Sequence, residues 1–397
     1  MGITIGVVIA VLLLLVVLKF KTIKQLHYAM TVFREDKIVY NFMHIKEAFP
    51  TKEILKSTTP KELQLGESYS LPNYFMWENN NVDITDYLSY VRTTGLMILH
   101  KNSIVYTDYQ NGMREDSVHV SWSMAKSFVA ALVGIALEEK LFSSIEDPIT
   151  KYLPQFKNSA YDGVRIKDIL QMATGVGFNE DYRDFNSDIN RFGRHFALGK
   201  SLEAFAMGLK RTREPGTYHH YVSLNTQVLG ILVSKVSGKS LSEYLKEKIW
   251  EPVGMQDNAY WVIDKTGMEM ALGGLNVSLR DYAKFGLLFA NNGFWNGKQI
   301  IPEAWIKASY HMDAPHLQPG DNPASHDRFG YGLQWWRPEF PKGDYFACGI
   351  YNQFIYIHPE KQLVIAKTSA NHHFREKGDD SKAKHVAMFQ RIAEDFT

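Results

Sequence analysis

The chain has 397 residues, of which 45% are hydrophobic and 13% aromatic, enough for a large core and for two or three domains. Its 44 basic and 43 acidic side chains leave a formal net charge of +1, which gives no electrostatic basis for binding nucleic acid. The single cysteine, Cys348, excludes an intrachain disulfide and a cysteine-rich zinc site.

The first predicted element is an apolar helix at the N-terminus. No side chain is charged from Met1 to Leu18, and 18 to 20 helical residues span roughly 27–30 Å, the thickness of a bilayer core. A cleaved signal peptide is the rival interpretation, but no basic residue precedes the run and no convincing cleavage site follows it. A third interpretation is that the run forms a buried helix of a soluble protein. We predict a retained single-pass anchor over residues 1–20.

The residues that follow this apolar run indicate on which side of the membrane the remainder of the chain would lie. Lys19, Lys21 and Lys24 follow it directly, and the positive-inside tendency would keep them and the body in the cytoplasm. Residues 21–70 are mixed in character, with prolines between short helical stretches, and we interpret them as a membrane-proximal segment. One large domain is predicted over 71–397.

Within that domain, strands are predicted near both ends and helices between them. Residues 95–107 suit a β-hairpin, and residues 123–139 are so apolar that the predicted helix must be buried on most sides. Capped helices are expected at 240–249 and 278–289, and strands at 331–336, 353–358 and 363–367, before a final helix at 382–396. This order predicts an α+β fold: an antiparallel sheet with flanking helices and an inserted all-helical domain at roughly 140–270.

The predicted helix at 123–139 begins with a candidate catalytic pair. A serine hydroxyl needs a base within hydrogen-bond reach, and residues three apart are neighbours on a helix, so Ser123 and Lys126 could form such a pair. Burial would lower the pKa of the lysine and let it act as the base. The motif alone is weak, because Ser381 and Lys384 repeat it in a charged stretch that is typical of solvated surface, and Ser123 could be a helix cap.

Two further elements strengthen the hypothesis. Tyr221 and Ser223 precede an apolar helix, and a tyrosine hydroxyl near a lysine can relay a proton, although a core aromatic is the alternative. Residues 347–353 open a late strand, where backbone N–H groups could stabilise an oxyanion or simply begin the strand.

Together, in this order, these elements resemble the serine β-lactamase-like superfamily (the class C β-lactamase and penicillin-binding-protein fold) over roughly residues 90–370. The resemblance is to its esterase and 6-aminohexanoate-dimer hydrolase branch in particular, and the runs 147–154, 166–175 and 273–281 support it. It implies a β-lactamase/transpeptidase-like fold. It also implies that Ser123 is the nucleophile, Lys126 its base and Tyr221 a proton carrier, with the N–H groups of Ser123 and Ile350 as the oxyanion hole.

The departures from the superfamily pattern narrow the expected substrate. Ala347 stands where penicillin-recognising members carry a lysine that helps to hold a carboxylate, and Ser223 stands where asparagine is usual. Both changes favour an ester or amide over a β-lactam. Ser223, His220 and Gly349 are candidate pocket residues, although His220 could equally be a loop histidine without a role.

The resulting hypothesis is a membrane-anchored serine hydrolase that acts on a small-molecule ester or amide without metal or organic cofactor. A β-lactamase or DD-peptidase is the rival within the class, and a non-catalytic membrane-tethered scaffold is the rival outside it. The superfamily often works outside the cytoplasm, so we expect a periplasmic or extracellular body, against the indication of the flanking lysines. The sequence does not indicate an oligomeric state.

Overall fold

The computed structural model describes Phe20 and residues 23–397. Within these limits no helix is both long and apolar enough to cross a membrane. This finding contradicts the predicted localisation, and the prediction of a single-pass membrane protein was therefore wrong. The predicted anchor itself, residues 1–20, lies outside the described residues apart from Phe20.

The strands form one large sheet, one smaller sheet and three short pairs. In chain order they are β1 Thr51–Ile54, β2 Gln64–Leu65, β3 Tyr74–Trp77, β4 Asn80–Asp83, β5 Thr93–His100, β6 Ser103–Tyr109, β7 Val118–Val120, β8 Val176–Gly177, β9 Lys210–Arg211, β10 Ala259–Val262, β11 Leu275–Ser278, β12 Phe294–Trp295, β13 Lys298–Gln299, β14 Gly330–Tyr331, β15 Trp336–Arg337, β16 Tyr345–Gly349, β17 Gln353–His358 and β18 Leu363–Ser369. The large sheet has the order β14-β15-β16-β17-β18-β5-β6-β2 and is antiparallel except where β2 joins β6.

The helices lie on both faces of this sheet and in the insertion between β7 and β10. In chain order they are α1 23–31, α2 Ile38–Met43, α3 Ile84–Tyr90, α4 Ala125–Glu138, α5 Ile166–Leu170, α6 Asp188–Ala197, α7 Leu202–Met207, α8 Ser223–Ser237, α9 Leu241–Leu245, α10 Glu251–Val253, α11 Leu279–Ala290, α12 Glu303–Tyr310 and α13 Ser381–Glu394. Helix α11 packs on β17, β18 and β5, and α13 packs on the other face through Phe389 against Phe354 and Tyr356. The α+β fold with an antiparallel sheet is therefore confirmed.

Local sequence patterns account for the central elements. The predicted hairpin is β5–β6, and its two turn residues, Lys101 and Asn102, both have the positive φ that a tight hairpin turn requires. Helix α4 is buried from Ala125 to Ala136, as the apolar run that begins at Phe128 predicts, and the buried stretch includes Lys126 and Ser127. Ser278 caps α11 by accepting a hydrogen bond from the Asp281 N–H.

Three expectations from the sequence were wrong. The strand expected at 331–336 is the hairpin β14–β15, because Gly332 to Gln334 turn back and the Gly332 N–H donates to the Trp335 carbonyl. The insertion is not all-helical, since it includes the pair β8–β9 and ends in β10, whose four residues are buried in the smaller sheet β1-β10-β11-β7. Ser381 is not solvated: it is the buried first residue of α13 and accepts a hydrogen bond from Asn352.

The segment before residue 71 pairs with the large domain. Strand β1 pairs with β10 and β2 with β6, and Phe33 and Phe42 pack on the ring of Trp122. The division of the chain at residue 70 stays a prediction. These contacts place part of the first segment directly beside the turn that carries Ser123.

Candidate active site

Ser123 and Lys126 lie together at the start of helix α4. A 3-10 turn, Trp122–Met124, leads into the helix, and Trp122 adopts a positive φ of 42° there. Positive φ is uncommon for a bulky residue, and such strain often marks functional sites. Lys126 lies one helical turn after Ser123, and its Nζ is 2.8 Å from the Ser123 Oγ. The structure thus brings the predicted nucleophile and base into hydrogen-bond contact.

The environment of Lys126 favours a neutral amine. Its side chain is buried, and burial lowers the pKa of Lys126 to about 8, while the negative charge of Glu180 acts in the opposite direction. The Nζ also donates to the Leu272 carbonyl at 2.7 Å, which fixes the amine beside Ser123. A lysine with this pKa is partly deprotonated near neutral pH and can accept a proton.

Tyr221 approaches the pair from the turn before helix α8. Its ring stacks on Trp336 with centroids 5.3 Å apart, and the Lys126 Nζ lies 5.3 Å from its ring centroid. Burial raises the pKa of Tyr221 well above its ordinary value, and a hydrogen bond to Ser123 opposes that rise. The phenol is therefore protonated, and its ring lies beside the Lys126 amine.

Glu180 is a site residue that the sequence analysis missed. Its carboxylate accepts hydrogen bonds from the Ser223 hydroxyl at 2.6 Å, the Ser223 N–H at 3.1 Å and the Tyr182 hydroxyl at 2.9 Å. Burial raises the pKa of Glu180, and Lys126 and these donors oppose the rise. Glu180 lies in the polar loop before α6, where no periodicity or motif distinguishes it from its acidic neighbours. Only its contact with Ser223, far along the chain, identifies it.

The end of strand β16 lies against the turn that carries Ser123. A Cβ on Gly349 would be 2.4 Å from the Ser121 carbonyl oxygen and 3.0 Å from the Ser123 nitrogen, so only glycine fits. Ile350 follows in a turn that the Gln353 amide holds by donating to the Ile350, Tyr351 and Ser369 carbonyls. The backbone of Gly349, which precedes Ile350, is thereby held against the turn that carries Ser123.

A cavity of about 720 Å³ opens beside Ser123. Ser123, Ser223 and Ile350 are among its wall residues, and most of the others are apolar. The remaining predicted pocket residues lie elsewhere. Gly349 is behind Ile350 against the Ser121 carbonyl, and the ring of His220 hydrogen-bonds the Phe178 carbonyl at 2.8 Å. The cavity volume is within the range of clefts that bind small organic molecules.

The assembled groups suit acyl transfer. They comprise a hydroxyl, a lysine of lowered pKa, a protonated phenol and, close to the Ser123 nitrogen, the backbone of Gly349. Among Phe20 and residues 23–397, no group of three or more histidine, cysteine, aspartate or glutamate side chains is placed to hold a metal ion.

The chain is similar to a known protein family, to a curated protein and to several solved structures. The family model described as Beta-lactamase matches residues 89–387. The chain is 25% identical over 295 residues to the 6-aminohexanoate-dimer hydrolase of Paenarthrobacter ureafaciens, covering 72% of this chain and 75% of that protein. A solved Bacillus anthracis structure, provisionally assigned as such a hydrolase, has a TM-score of 0.81 at 24% identity, covering 91% of this chain and 95% of that one. A D-stereospecific amidohydrolase from Streptomyces sp. has a TM-score of 0.56 at 15% identity, covering 77% and 98%. At these identities the two solved structures show the fold alone.

Proposed function

We propose that this chain, which belongs to the beta-lactamase family and is a serine hydrolase, cleaves an ester or amide through a covalent acyl-enzyme on Ser123. The observation that carries the proposal is the 2.8 Å contact between the Lys126 Nζ and the Ser123 Oγ, in a setting that lowers the pKa of Lys126 to about 8. A buried lysine in contact with a serine hydroxyl is the activated nucleophile that such chemistry requires.

In the proposed mechanism the neutral amine of Lys126 takes the proton of the Ser123 hydroxyl as the oxygen attacks the substrate carbonyl. The N–H groups of Ser123 and Ile350 donate to the oxyanion that forms. Tyr221, linked to Ser123 by a hydrogen bond and close to Lys126, passes the proton to the leaving alcohol or amine. Water then attacks the acyl-enzyme with the same groups in reverse, which releases the acid and restores Ser123.

The substrate is an ester or amide and not a β-lactam. Ala347 is buried on β16 next to the active-site turn and offers no positive charge for a carboxylate, unlike the lysine of penicillin-recognising members. The relative from Paenarthrobacter ureafaciens is named as the hydrolase of an amide dimer, which supports the same substrate class.

Covalent labelling tests this assignment. A fluorophosphonate probe is expected to label the wild-type protein and not Ser123→Ala, and p-nitrophenyl acetate turnover should disappear with the label. Ser381→Ala removes the other serine of a Ser-x-x-Lys motif and should keep both label and turnover, once thermal unfolding shows that each variant is folded. Labelling of a folded Ser123→Ala protein, or nitrocefin turnover faster than ester turnover, would contradict the proposal.

A further inference from the structure

We infer that the cavity beside Ser123 is a site for an apolar acyl chain, so that the substrates are esters or amides of medium-length or longer fatty-acyl groups. The inference rests on the proposed function and adds the substrate class to it. Two observations support it: the side chains that line the cavity are mostly apolar, and only some of the catalytic groups lie on the cavity wall.

Side chains from three parts of the chain line the cavity. Val32 and Phe33 follow helix α1, Ile189 and Phe192 belong to α6, and Met270 and Leu272 precede β11. All six side chains are apolar, and each belongs to the main hydrophobic core or packs against it. An apolar ligand in this space would be removed from water on several sides.

The size of the cavity argues for a ligand. Protein cores are close-packed, and an unfilled cavity costs stability in proportion to its volume. A space of about 720 Å³ is several times larger than an engineered cavity of about 150 Å³ that already binds benzene. A cavity this large among core side chains is therefore the signature of a binding site. Its rim includes the exposed apolar side chains of Met30 and Phe185, which an entering chain could contact first.

The catalytic groups indicate which half of the substrate occupies the cavity. Ser123 and Ile350, which would hold the carbonyl, are wall residues, whereas Lys126 and Tyr221, which would supply the proton to the leaving group, are not. The leaving group must lie on the side of its proton donor. The cavity, on the other side, is left for the acyl chain.

The polar groups at the rim do not alter this assignment. Arg34 forms an ion pair with Asp36 at 3.0 Å, and Arg183 forms one with Asp181 at 2.9 Å. Carboxylates therefore balance the charges of these two arginines. The other two arginines of the lining, Arg194 and Arg375, form no ion pair within the described residues and instead lie over the rings of Phe185 and Phe33, at 4.0 and 4.4 Å from the ring centroids. The binding energy available deeper in the cavity is hydrophobic and grows with the length of the chain.

Gly193 offers a way to fill the cavity without disturbing the fold. It is an exposed residue of α6 that lines the cavity, and a Cβ added there would meet no atom of the described residues within 4 Å. Gly193→Phe should therefore project a ring into the cavity, and Gly193→Ala is the matched control that leaves the cavity open. Both replacements suit a helix better than glycine does.

The experiment measures kcat/KM for p-nitrophenyl acetate, butanoate, octanoate and decanoate below their micelle concentrations. Each buried methylene can contribute about a fourfold gain, so the wild-type protein should prefer octanoate to acetate at least tenfold. Gly193→Phe should lower octanoate turnover at least tenfold and leave acetate within about twofold, while Gly193→Ala resembles wild type. If Gly193→Phe does not fold, Ala29→Phe, at another residue that lines the cavity, should give the same pattern.

The outcomes separate this inference from the proposed function. A flat chain-length profile, or a Gly193→Phe variant that loses acetate and octanoate turnover equally, would overturn the acyl-chain site while Ser123-dependent turnover persists. Ester turnover that survives Ser123→Ala would instead refute the proposed function.

Discussion

The Cα of Gly349 faces the carbonyl of Ser121 so closely that a methyl group between them would lie 2.4 Å from the oxygen. The same methyl group would be 3.0 Å from the Ser123 nitrogen. Strand β16 can approach the nucleophile turn only because residue 349 has no side chain. The distance between the two proposed oxyanion donors, the N–H groups of Ser123 and Ile350, depends on this contact.

Gly349→Ala is therefore expected to separate the two donors. Loss of one oxyanion donor typically costs 10²–10³ in rate, so kcat for p-nitrophenyl esters should fall about 100-fold or more. Gly134→Ala is the matched control, because its Cβ would lie 2.4 Å from the Trp305 ring and overpack the core away from the site. Each variant should lose about 1–3 kcal/mol of stability, but only Gly349→Ala should lose kcat in its folded fraction. A folded Gly349→Ala protein with wild-type kcat would exclude this role.

The pH dependence of hydrolysis should report on Lys126. Burial lowers the pKa of Lys126 to about 8, and the proposed base is its neutral form. The neutral fraction rises with pH, so kcat/KM should increase with a midpoint near pH 8 and level off above it. Measured kcat/KM that is flat from pH 6 to 10, after correction for spontaneous ester hydrolysis, would argue against Lys126 as the base.

Glu180→Gln tests the cause of that midpoint. The negative charge of Glu180 raises the pKa of Lys126, so its removal should move the midpoint to a pH about 1 lower. Glutamine has the same shape and can still accept the hydrogen bond of the Ser223 hydroxyl. Glu203→Gln, in helix α7, is the control, and its profile should match wild type. If the midpoint pH of the Glu180→Gln variant is the same as that of wild type or higher, the carboxylate does not act on Lys126 through its charge.

The role of Tyr221 can be separated from its packing. Tyr221→Phe keeps the stack on Trp336 and removes only the hydroxyl, so kcat should fall by about 10²-fold with little change in stability. Tyr345→Phe is the control, because the buried Tyr345 hydroxyl has no hydrogen-bond partner among Phe20 and residues 23–397 and lies outside the site. Unchanged kcat in Tyr221→Phe would assign the proton transfer to Lys126 alone.

Sequence patterns predicted the parts of this structure that depend on local chemistry. The hairpin β5–β6 follows from apolar runs around a short polar turn, and the contact of Ser123 with Lys126 follows from helical spacing. The contact of Glu180 with Ser223 could not be predicted, because the two residues are 43 apart and no sequence pattern links the loop that carries Glu180 to the start of α8. The burial of Ser381 was missed for a similar reason: it depends on Asn352, which belongs to a distant turn.

Lys367 offers a last test, of stability alone. It is buried on β18 opposite Phe354, its amine donates to the Ser369 hydroxyl, and no carboxylate in the described part of the chain forms an ion pair with it. Burial lowers the pKa of Lys367 well below its ordinary value of 10.5. Below pH 10.5 the unfolded chain therefore binds a proton that the folded chain does not, and wild-type stability falls as the pH falls through this window.

Lys367→Met removes the group that binds this proton in the unfolded chain. Urea unfolding at pH 7 should show the variant to be more stable than wild type by about 1–3 kcal/mol, because an apolar side chain replaces a buried amine. The advantage should shrink as the pH rises through 10.5, because above this pH the Lys367 amine is neutral in both the folded and the unfolded wild-type chain. Lys235→Met, on the exposed side of α8, should show no such pH dependence. A Lys367→Met variant that is less stable at pH 7, with an unchanged pH slope, would mean that Lys367 stays charged in the folded protein.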